Sequence, residues 1–289
     1  MQYNAGAQLD PSQVEVRGGG NGGRVAIGGG VSIIVLILAM LFGINPSELM
    51  GGGGGTASQA NPGTDLSQCQ TGADVEKNRE CRFVVYANTN NAYWSQVVGD
   101  QYTQTKTVLY SGQTPSGCGT ATTDVGPFYC PADKAIYIDP SFTEDMLKGQ
   151  LGGQGGDAAE AYVSGHEYGH HIQDLLGTLD QVQAAGQTTG ENSPAVALEL
   201  QADCYAGAYL AHVTQLQNSP ISGITQDDLN RIVNAAQVVG DDYIQKASSG
   251  RVNPDAWTHG SSAMRQRWLA VGFKSGDPNQ CSAAFGNVS

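Results

Sequence analysis

The sequence predicts an α+β domain carried behind one transmembrane helix. Short apolar runs between residues 82 and 138 indicate strands, whereas helical patterns dominate after residue 157. A separate apolar run, Val25–Ile44, carries no charge and is long enough to cross a hydrocarbon core roughly 30 Å thick. The chain therefore divides into a Gly-rich tail (1–23), a membrane helix (24–45), a Gly-rich linker (46–66) and a folded domain (67–289).

The charges around the apolar run predict its orientation. Arg17 and Arg24 precede the run, and the next Lys or Arg is Lys77. Because positively charged flanks stay in the cytoplasm, we expect a single-pass protein with its N-terminus inside and its folded domain outside the cytoplasmic membrane. A cleaved signal peptide is the alternative, but the run is long for one and no A-x-A cleavage site follows it.

The six cysteines all follow the apolar run, and an even number confined to an exported part indicates disulfides. Local spacing favours Cys69–Cys81 and Cys118–Cys130, which leaves Cys204 with Cys281. Cysteine ligation of zinc is the alternative, but the chain has no C-x-x-C pair.

The formal net charge of −13 argues against some classes of partner. An acidic chain repels nucleic acid and anionic lipid headgroups, so we expect neither as a partner. The charge suits a soluble exported domain. Neither the charge nor any repeat indicates an oligomeric state.

The elements of the folded domain follow from hydrophobic runs and from the residues that start or stop a helix. Pro131 and Pro140 bound one strand, Gly177 ends a helix, and Thr225 with Asp228 forms a capping box. The predicted strands are Arg82–Tyr86, Thr105–Tyr110 and Lys134–Ile138, with a hairpin or loop closed by Cys118–Cys130 before the last. The predicted helices are Asn90–Tyr102, Phe142–Leu151, Ala158–Asp174, Pro194–His212 and one from Thr225 to about Lys246. Ala135–Asp139 is expected at the sheet edge over the cleft, where an extended peptide could add as a further strand.

The stretch His166-Glu167-Tyr168-Gly169-His170 reads H-E-x-x-H on the predicted helix Ala158–Asp174. Residues four apart share a helix face, so both imidazoles point to one spot and can hold Zn²⁺. Glu167 lies beside the open coordination position, where it can take a proton from water. A chance match on an ordinary helix is the alternative.

A second segment, Glu199-Leu200-Gln201-Ala202-Asp203, contains a candidate for a third ligand. Ser193 can cap its helix, and Pro194 suits the first helical position. A carboxylate at Glu199 completes a His-His-Glu site, and Asp203 one turn later can accept the free N–H of a ligand imidazole. A solvated helix face with two acids is the alternative.

A third segment, Thr258–Trp268, contains His259 and Arg265. A neutral His or a fixed Arg can donate hydrogen bonds to the oxyanion that forms when water adds to a peptide carbonyl. Alternatively, Arg265 is a structural partner of Asp203 or Glu199, and His259 is a loop residue bonded to backbone. The sequence does not decide between His259 and Arg265 as the oxyanion donor.

The chain resembles the bacterial "putative neutral zinc metallopeptidase" family from Val14–Arg17 to Cys281. The matching pieces include Gly126–Pro131, Tyr137–Asp139, His166–His171 with Gln173, Leu198–Ala206, Thr258–Gly260 with Arg265, and Gly276–Pro278. The H-E-x-x-H, E-x-x-x-D and T-H…R series is also similar to that of the CAAX-protease-like gluzincins. The resemblance implies a zincin-like domain with zinc ligands at His166, His170 and Glu199, and with Glu167 as the base.

The sequence therefore predicts a membrane-anchored zinc metallopeptidase with one Zn²⁺ ion that hydrolyses peptide or protein substrates outside the cytoplasmic membrane. A zinc-stabilised envelope binding module or adaptor without catalytic activity is the alternative. Structural zinc sites are usually closed by four protein ligands, whereas three candidates converge here. The sequence indicates neither the cleavage specificity nor whether the enzyme acts inside a chain or at its ends.

Overall fold

A computed structural model describes residues 1–18 and 65–287 of the chain. Its α-helices are α1 (Cys81–Val98), α2 (Asp157–Leu175), α3 (Thr178–Ala185), α4 (Pro194–His212), α5 (Gln226–Val238), α6 (Asp241–Ser249) and α7 (Ser262–Ser275). Its strands are β1 (Gln2–Tyr3), β2 (Val14–Arg17), β3 (Lys106–Tyr110), β4 (Gln113–Ser116), β5 (Gly119–Thr122), β6 (Phe128–Cys130), β7 (Ala135–Ile138) and β8 (Ile221–Gly223). A π-helical segment, Thr143–Gln150, precedes α2. The mixture of helices and sheet confirms the α+β prediction.

The main sheet has the strand order β2-β3-β7-β6, in which β6 alone runs antiparallel to its neighbour. Strand β7 lies between β3 and β6, so the expectation that Ala135–Asp139 forms the sheet edge is wrong. The hydrophobic pattern did not reveal β6 as a strand, because β6 has only three residues and all of them are buried. After β6, a turn in which Lys134 adopts a φ of 49° reverses the chain into β7. Strands β4 and β5 form the expected hairpin after β3.

The N-terminal segment belongs to the folded body, although the sequence pattern indicates no strand in residues 1–23. Strand β2 pairs with β3 from Val14↔Thr107 to Arg17↔Tyr110, and β1 pairs with β8. Leu9 is 7% exposed and packs in the main core. Four residues are too few for a periodic signal, and their partner strand lies far along the chain.

The run Arg82–Tyr86 is helical rather than extended and forms the first turns of α1. Tertiary contacts decide this, because Phe83 and its apolar neighbours are buried on more than one side. A short apolar run that is buried all round shows no helical or strand period. The predicted helix Asn90–Tyr102 is the continuation of α1, which ends at Gly99 with a φ of 65°.

One helix predicted after Thr225 is two in the structure. The capping box of Thr225 and Asp228 begins α5, as predicted, but α5 ends before Gly240 and α6 begins at Asp241. A side chain at Gly240 would lie 2.3 Å from the backbone nitrogen of Ser262. The break therefore lets the start of α7 approach the chain closely.

All three expected disulfides are present, and no described cysteine is free. The bond Cys204–Cys281 ties α4 to the C-terminal 3-10 segment Pro278–Asn287. The predicted membrane helix Val25–Ile44 lies outside the described residues. Among the described residues, no helix is long and apolar enough to cross a membrane.

Candidate metal centre

The metal centre depends on a close approach between α2 and α4. Gly165 and Gly169 lie four apart on one face of α2, and Ala202 and Ala206 lie four apart on α4. A Cβ atom at Gly169 would lie 3.0 Å from the Cα atom and 3.1 Å from the carbonyl oxygen of Ala202. Glycine disfavours a helix interior, but only glycine allows the two backbones this contact.

Three side chains from these helices converge on one point. His166, His170 and Glu199 are buried, and each offers a ligand atom within 4.8 Å of the other two. Nε2 of His166 lies 3.1 Å from Oε2 of Glu199, and Nε2 of His170 lies 3.5 Å from Oε1. Ligand atoms about 2.0–2.1 Å from a tetrahedral ion lie about 3.3 Å apart. Oε1 of Glu199 is also buried without a hydrogen-bond partner, so the geometry and the donor set fit Zn²⁺.

Asp203 orients the first imidazole. Its Oδ1 lies 2.9 Å from Nδ1 of His166 and also accepts a hydrogen bond from the Tyr162 hydroxyl at 2.6 Å. A proton on Nδ1 leaves the Nε2 lone pair of His166 aimed at Glu199. This is the arrangement that zinc-binding histidines commonly use.

Arg265 lies behind Asp203. Its Nε donates to Oδ2 of Asp203 at 2.8 Å, and its Nη2 donates to Oδ1 at 2.9 Å. Burial alone raises the pKa of the Asp203 carboxyl, but Arg265 and His166 outweigh burial and lower it to about 2. Burial also opposes the charge on His166, yet the Asp203 and Glu199 carboxylates raise the pKa of its imidazole to about 10. Asp203 thus stays ionised beside the guanidinium of Arg265.

Gln173 orients the second imidazole, a role that the sequence pattern does not predict. Its Oε1 lies 2.8 Å from Nδ1 of His170, one turn earlier on α2. Its Nε2 donates to the carbonyl of Leu198 at 2.7 Å and to Oε1 of Gln201 at 3.0 Å. These bonds fix which end of the amide faces His170. The signal that the sequence offers for this role is the spacing of Gln173, three residues after His170 on the same helix.

Glu167 lies beside the three candidate ligands and lines the same cleft. It is 6% exposed, and its Oε2 has no hydrogen-bond partner. Burial raises the pKa of its carboxyl, although the imidazoles of His170 and His166 partly oppose this. A carboxylate with a raised pKa suits a general base.

His259 faces the centre from the loop before α7. Its Nε2 lies 3.9 Å from Oε2 of Glu199, and its Nδ1 lies 2.9 Å from Oγ1 of Thr258. Asp241 holds this loop, because its Oδ2 accepts hydrogen bonds from three successive backbone N–H groups, those of residues 258–260. Sequence reasoning missed Asp241, since an acid that begins a helix gives no signal of a partner 17 residues away.

The structure brings the predicted site residues to one cleft. The cleft is lined by six of them: His166, Glu167, His170, Glu199, His259 and Arg265. Asp203 lies behind His166, as expected. The remaining histidines lie elsewhere: His171 bonds to Thr103 and Tyr129, and His212 contacts the carbonyl of Ala208.

Comparisons with known proteins show which family the chain belongs to. A family model described as "Putative neutral zinc metallopeptidase" matches residues 7–284. The chain is 44% identical over 249 residues to "Uncharacterized protein Rv2575" of Mycobacterium tuberculosis strain H37Rv, across 84% of each chain. It is 40% identical over 275 residues to "Uncharacterized protein YpfJ" of Escherichia coli strain K12, across 91% of this chain and 90% of that relative. No solved structure matches the chain significantly. With the family model matching nearly its whole length, the chain belongs to the family described as "putative neutral zinc metallopeptidase".

Proposed function

We propose that the protein is a zinc-dependent peptidase that hydrolyses peptide bonds outside the cytoplasmic membrane. One observation carries the proposal. Among the described residues, three buried candidate ligands converge at a cleft, and Glu167 lines the same cleft with a carboxylate oxygen that has no hydrogen-bond partner. A catalytic zinc site has this composition, with three protein ligands and one open position.

Glu167 and His259 supply the remaining chemistry. Zn²⁺, when bound by His166, His170 and Glu199, polarises a carbonyl and makes a water molecule more acidic. Glu167 accepts a proton from the attacking water and passes it to the leaving amine. His259 lines the same cleft, where its imidazole can donate a hydrogen bond to the carbonyl oxygen as negative charge develops on it.

We assign Arg265 a positioning role. Its Nε and Nη2 donate to Asp203, and its Nη1 donates to the carbonyl of Val239. A guanidinium held in this way fixes Asp203, which in turn fixes His166. His259 carries fewer fixed bonds, which favours it as the oxyanion donor.

The alternative is a binding module whose zinc is structural. A structural site requires a fourth protein ligand, and His259 is a candidate among the described residues that line the cleft. Its Nε2 is 3.9 Å from Glu199, and it does not join the group of three ligand atoms that lie within 4.8 Å of one another. The open position favours catalysis.

The experiment that tests the proposal measures zinc content and hydrolysis together. The zinc-loaded full chain should cleave an unstructured protein, lose that activity to a chelator and regain it with Zn²⁺. One zinc per chain without any chelator-sensitive cleavage would favour the binding module. The location outside the membrane is supported by three disulfides, since these persist in oxidising compartments.

A further inference from the structure

We propose that this peptidase cleaves next to large apolar side chains, because the cleft beside Glu167 is built to bury one. The inference rests on the proposed function and adds its substrate class. The cleft has an empty volume of about 620 Å³ including its open mouth. Six apolar side chains line it beside the candidate metal centre: Val125, Pro127, Phe142, Val163, Val239 and Ile244.

These six side chains come from separate parts of the fold. Val163 lies one turn before Glu167 on the same face of α2, so the apolar surface begins directly beside the base. Val239 follows α5 and Ile244 lies on α6. Contributions from distant segments are a sign of a built pocket rather than of one exposed helix face.

The shape of the pocket is fixed where Phe142 meets Gly126. Gly126 adopts a φ of 76°, and a Cβ atom there would lie 3.0 Å from the Phe142 ring. The absence of a side chain lets the ring pack directly on the backbone before β6. Glycine at this position therefore serves both the turn and the wall of the pocket.

Away from the candidate metal centre and Glu167, the described lining offers no charge that is free to pair with a substrate. The other ionisable groups of this lining are Tyr162, His259 and Arg265, and Asp203 already accepts hydrogen bonds from Tyr162 and Arg265. A substrate carboxylate or ammonium in this apolar part of the cleft would lose its hydration without gaining a partner, which is costly. An apolar side chain gains free energy when it is buried in the same place.

The test is a cleavage profile of a mixed peptide library with the zinc-loaded full chain. Leu, Ile, Met or Phe should flank the cleaved bond on one side, with kcat/KM at least about 10-fold above that of Ala. Chelator-sensitive cleavage without this enrichment, or with acidic residues preferred, would overturn the pocket and leave the peptidase intact. Absence of any chelator-sensitive cleavage would overturn the peptidase itself.

A matched pair of variants locates the preference in the cleft. Val163→Phe should fill part of the pocket and shift the preference towards smaller side chains by about 10-fold. Val233→Phe makes the same change on the exposed face of α5 and should leave the profile unaltered. Binding of Leu-containing and Asp-containing peptides to zinc-loaded Glu167→Gln measures the pocket without turnover. Equal binding of the two peptides would contradict the proposal.

A second inference is carried independently by the N-terminal strands. We infer that residues 1–17 and the metal-binding body lie on the same side of the membrane. Strand β2 is hydrogen-bonded to β3 over four residue pairs, and strands so paired lie about 5 Å apart. A hydrocarbon core roughly 30 Å thick cannot separate them.

Further contacts join the same two parts of the chain. The backbone N–H of Leu9 donates to the carbonyl of Gln70 at 2.9 Å, and that of Gly72 donates to Ala7 at 2.9 Å. The expected topology, with the N-terminal tail inside and the folded domain outside, is incompatible with these contacts. The disulfides place both parts in the oxidising compartment.

Labelling of single introduced cysteines tests this topology. Gly6→Cys and Val252→Cys both lie at exposed positions, and a Cβ atom at Gly6 meets nothing closer than 3.8 Å. A membrane-impermeant maleimide should label both variants in intact spheroplasts, with the fully disulfide-bonded parent chain as the background. Labelling of Val252→Cys with protection of Gly6→Cys until the membrane is permeabilised would overturn the inference.

Discussion

Replacing Asp203 alone, and then together with Arg265, separates the contribution of Asp203 to the stability of the fold from its contribution to zinc affinity. Asp203 is fully buried and bonds both to Arg265 and to the candidate ligand His166. The change Asp203→Leu leaves the guanidinium buried without its carboxylate partner, and breaking a buried ion pair in this way costs about 3–5 kcal/mol. That is a large fraction of the roughly 5–15 kcal/mol by which domains are stable.

Replacing both partners should restore stability but not zinc binding. Asp203→Leu with Arg265→Met removes the buried charge and fills the space with apolar atoms, which is often neutral or stabilising. His166 still lacks the carboxylate that orients it, so zinc should bind about 10–100-fold more weakly than in the parent chain.

Denaturant unfolding of the metal-free chains and competition for zinc with a chelator give the two quantities. If the free energy of unfolding of Asp203→Leu lies within about 1 kcal/mol of that of the parent, the assigned role of the ion pair in stability is refuted. A double variant with the zinc affinity of the parent would refute the orienting role of Asp203.

Three further predictions follow from buried contacts. The pKa of Asp203 is lowered from 3.8 to about 2, so the ionised carboxylate contributes roughly 2 kcal/mol to the stability of the fold. This contribution should be complete above pH 4 and lost as the pH falls towards 2. Acid unfolding of the parent should show this loss, and acid unfolding of the double variant should not. Deletion of residues 1–17 removes the buried side chains Leu9 and Val14, at about 1.5–3 kcal/mol each, and should lower the unfolding midpoint sharply; an unchanged midpoint would contradict the role of β2. Gly169→Ala forces a Cβ atom against Ala202 and should cost about 1–3 kcal/mol and weaken zinc binding, whereas the same change at exposed Gly186 should leave zinc binding unchanged.

Local patterns predicted the parts of the site that depend on neighbours in sequence. The pair His166 and His170 follows from the helix period, and the start of α4 follows from Ser193 as its cap. Ser193 does accept a hydrogen bond from the backbone N–H of Val196 at 3.1 Å. The disulfides could be predicted because short spacing favoured two pairs, which left only one choice for the third. The structure contains all three.

Contacts between distant segments account for what the sequence did not predict. Strand β2 becomes visible only when β3, about 90 residues later, is beside it. Asp241 acts through the backbone N–H groups of residues 258–260, and backbone groups carry no sequence signal. The helix at Arg82–Tyr86 reflects burial on all sides, which removes the period that distinguishes a helix from a strand.

The central claim is that Glu167 acts as the base while His166, His170 and Glu199 hold zinc. The matched variants Glu167→Gln and Glu199→Ala test this claim most directly. After dialysis, Glu167→Gln should keep about one zinc per chain and lose hydrolysis of an unstructured substrate by at least the roughly 10²–10⁴-fold typical of a general base. Glu199→Ala should lose zinc and hydrolysis together, since two imidazoles make an incomplete site. Full hydrolysis by Glu167→Gln, or full zinc in Glu199→Ala, would contradict the account.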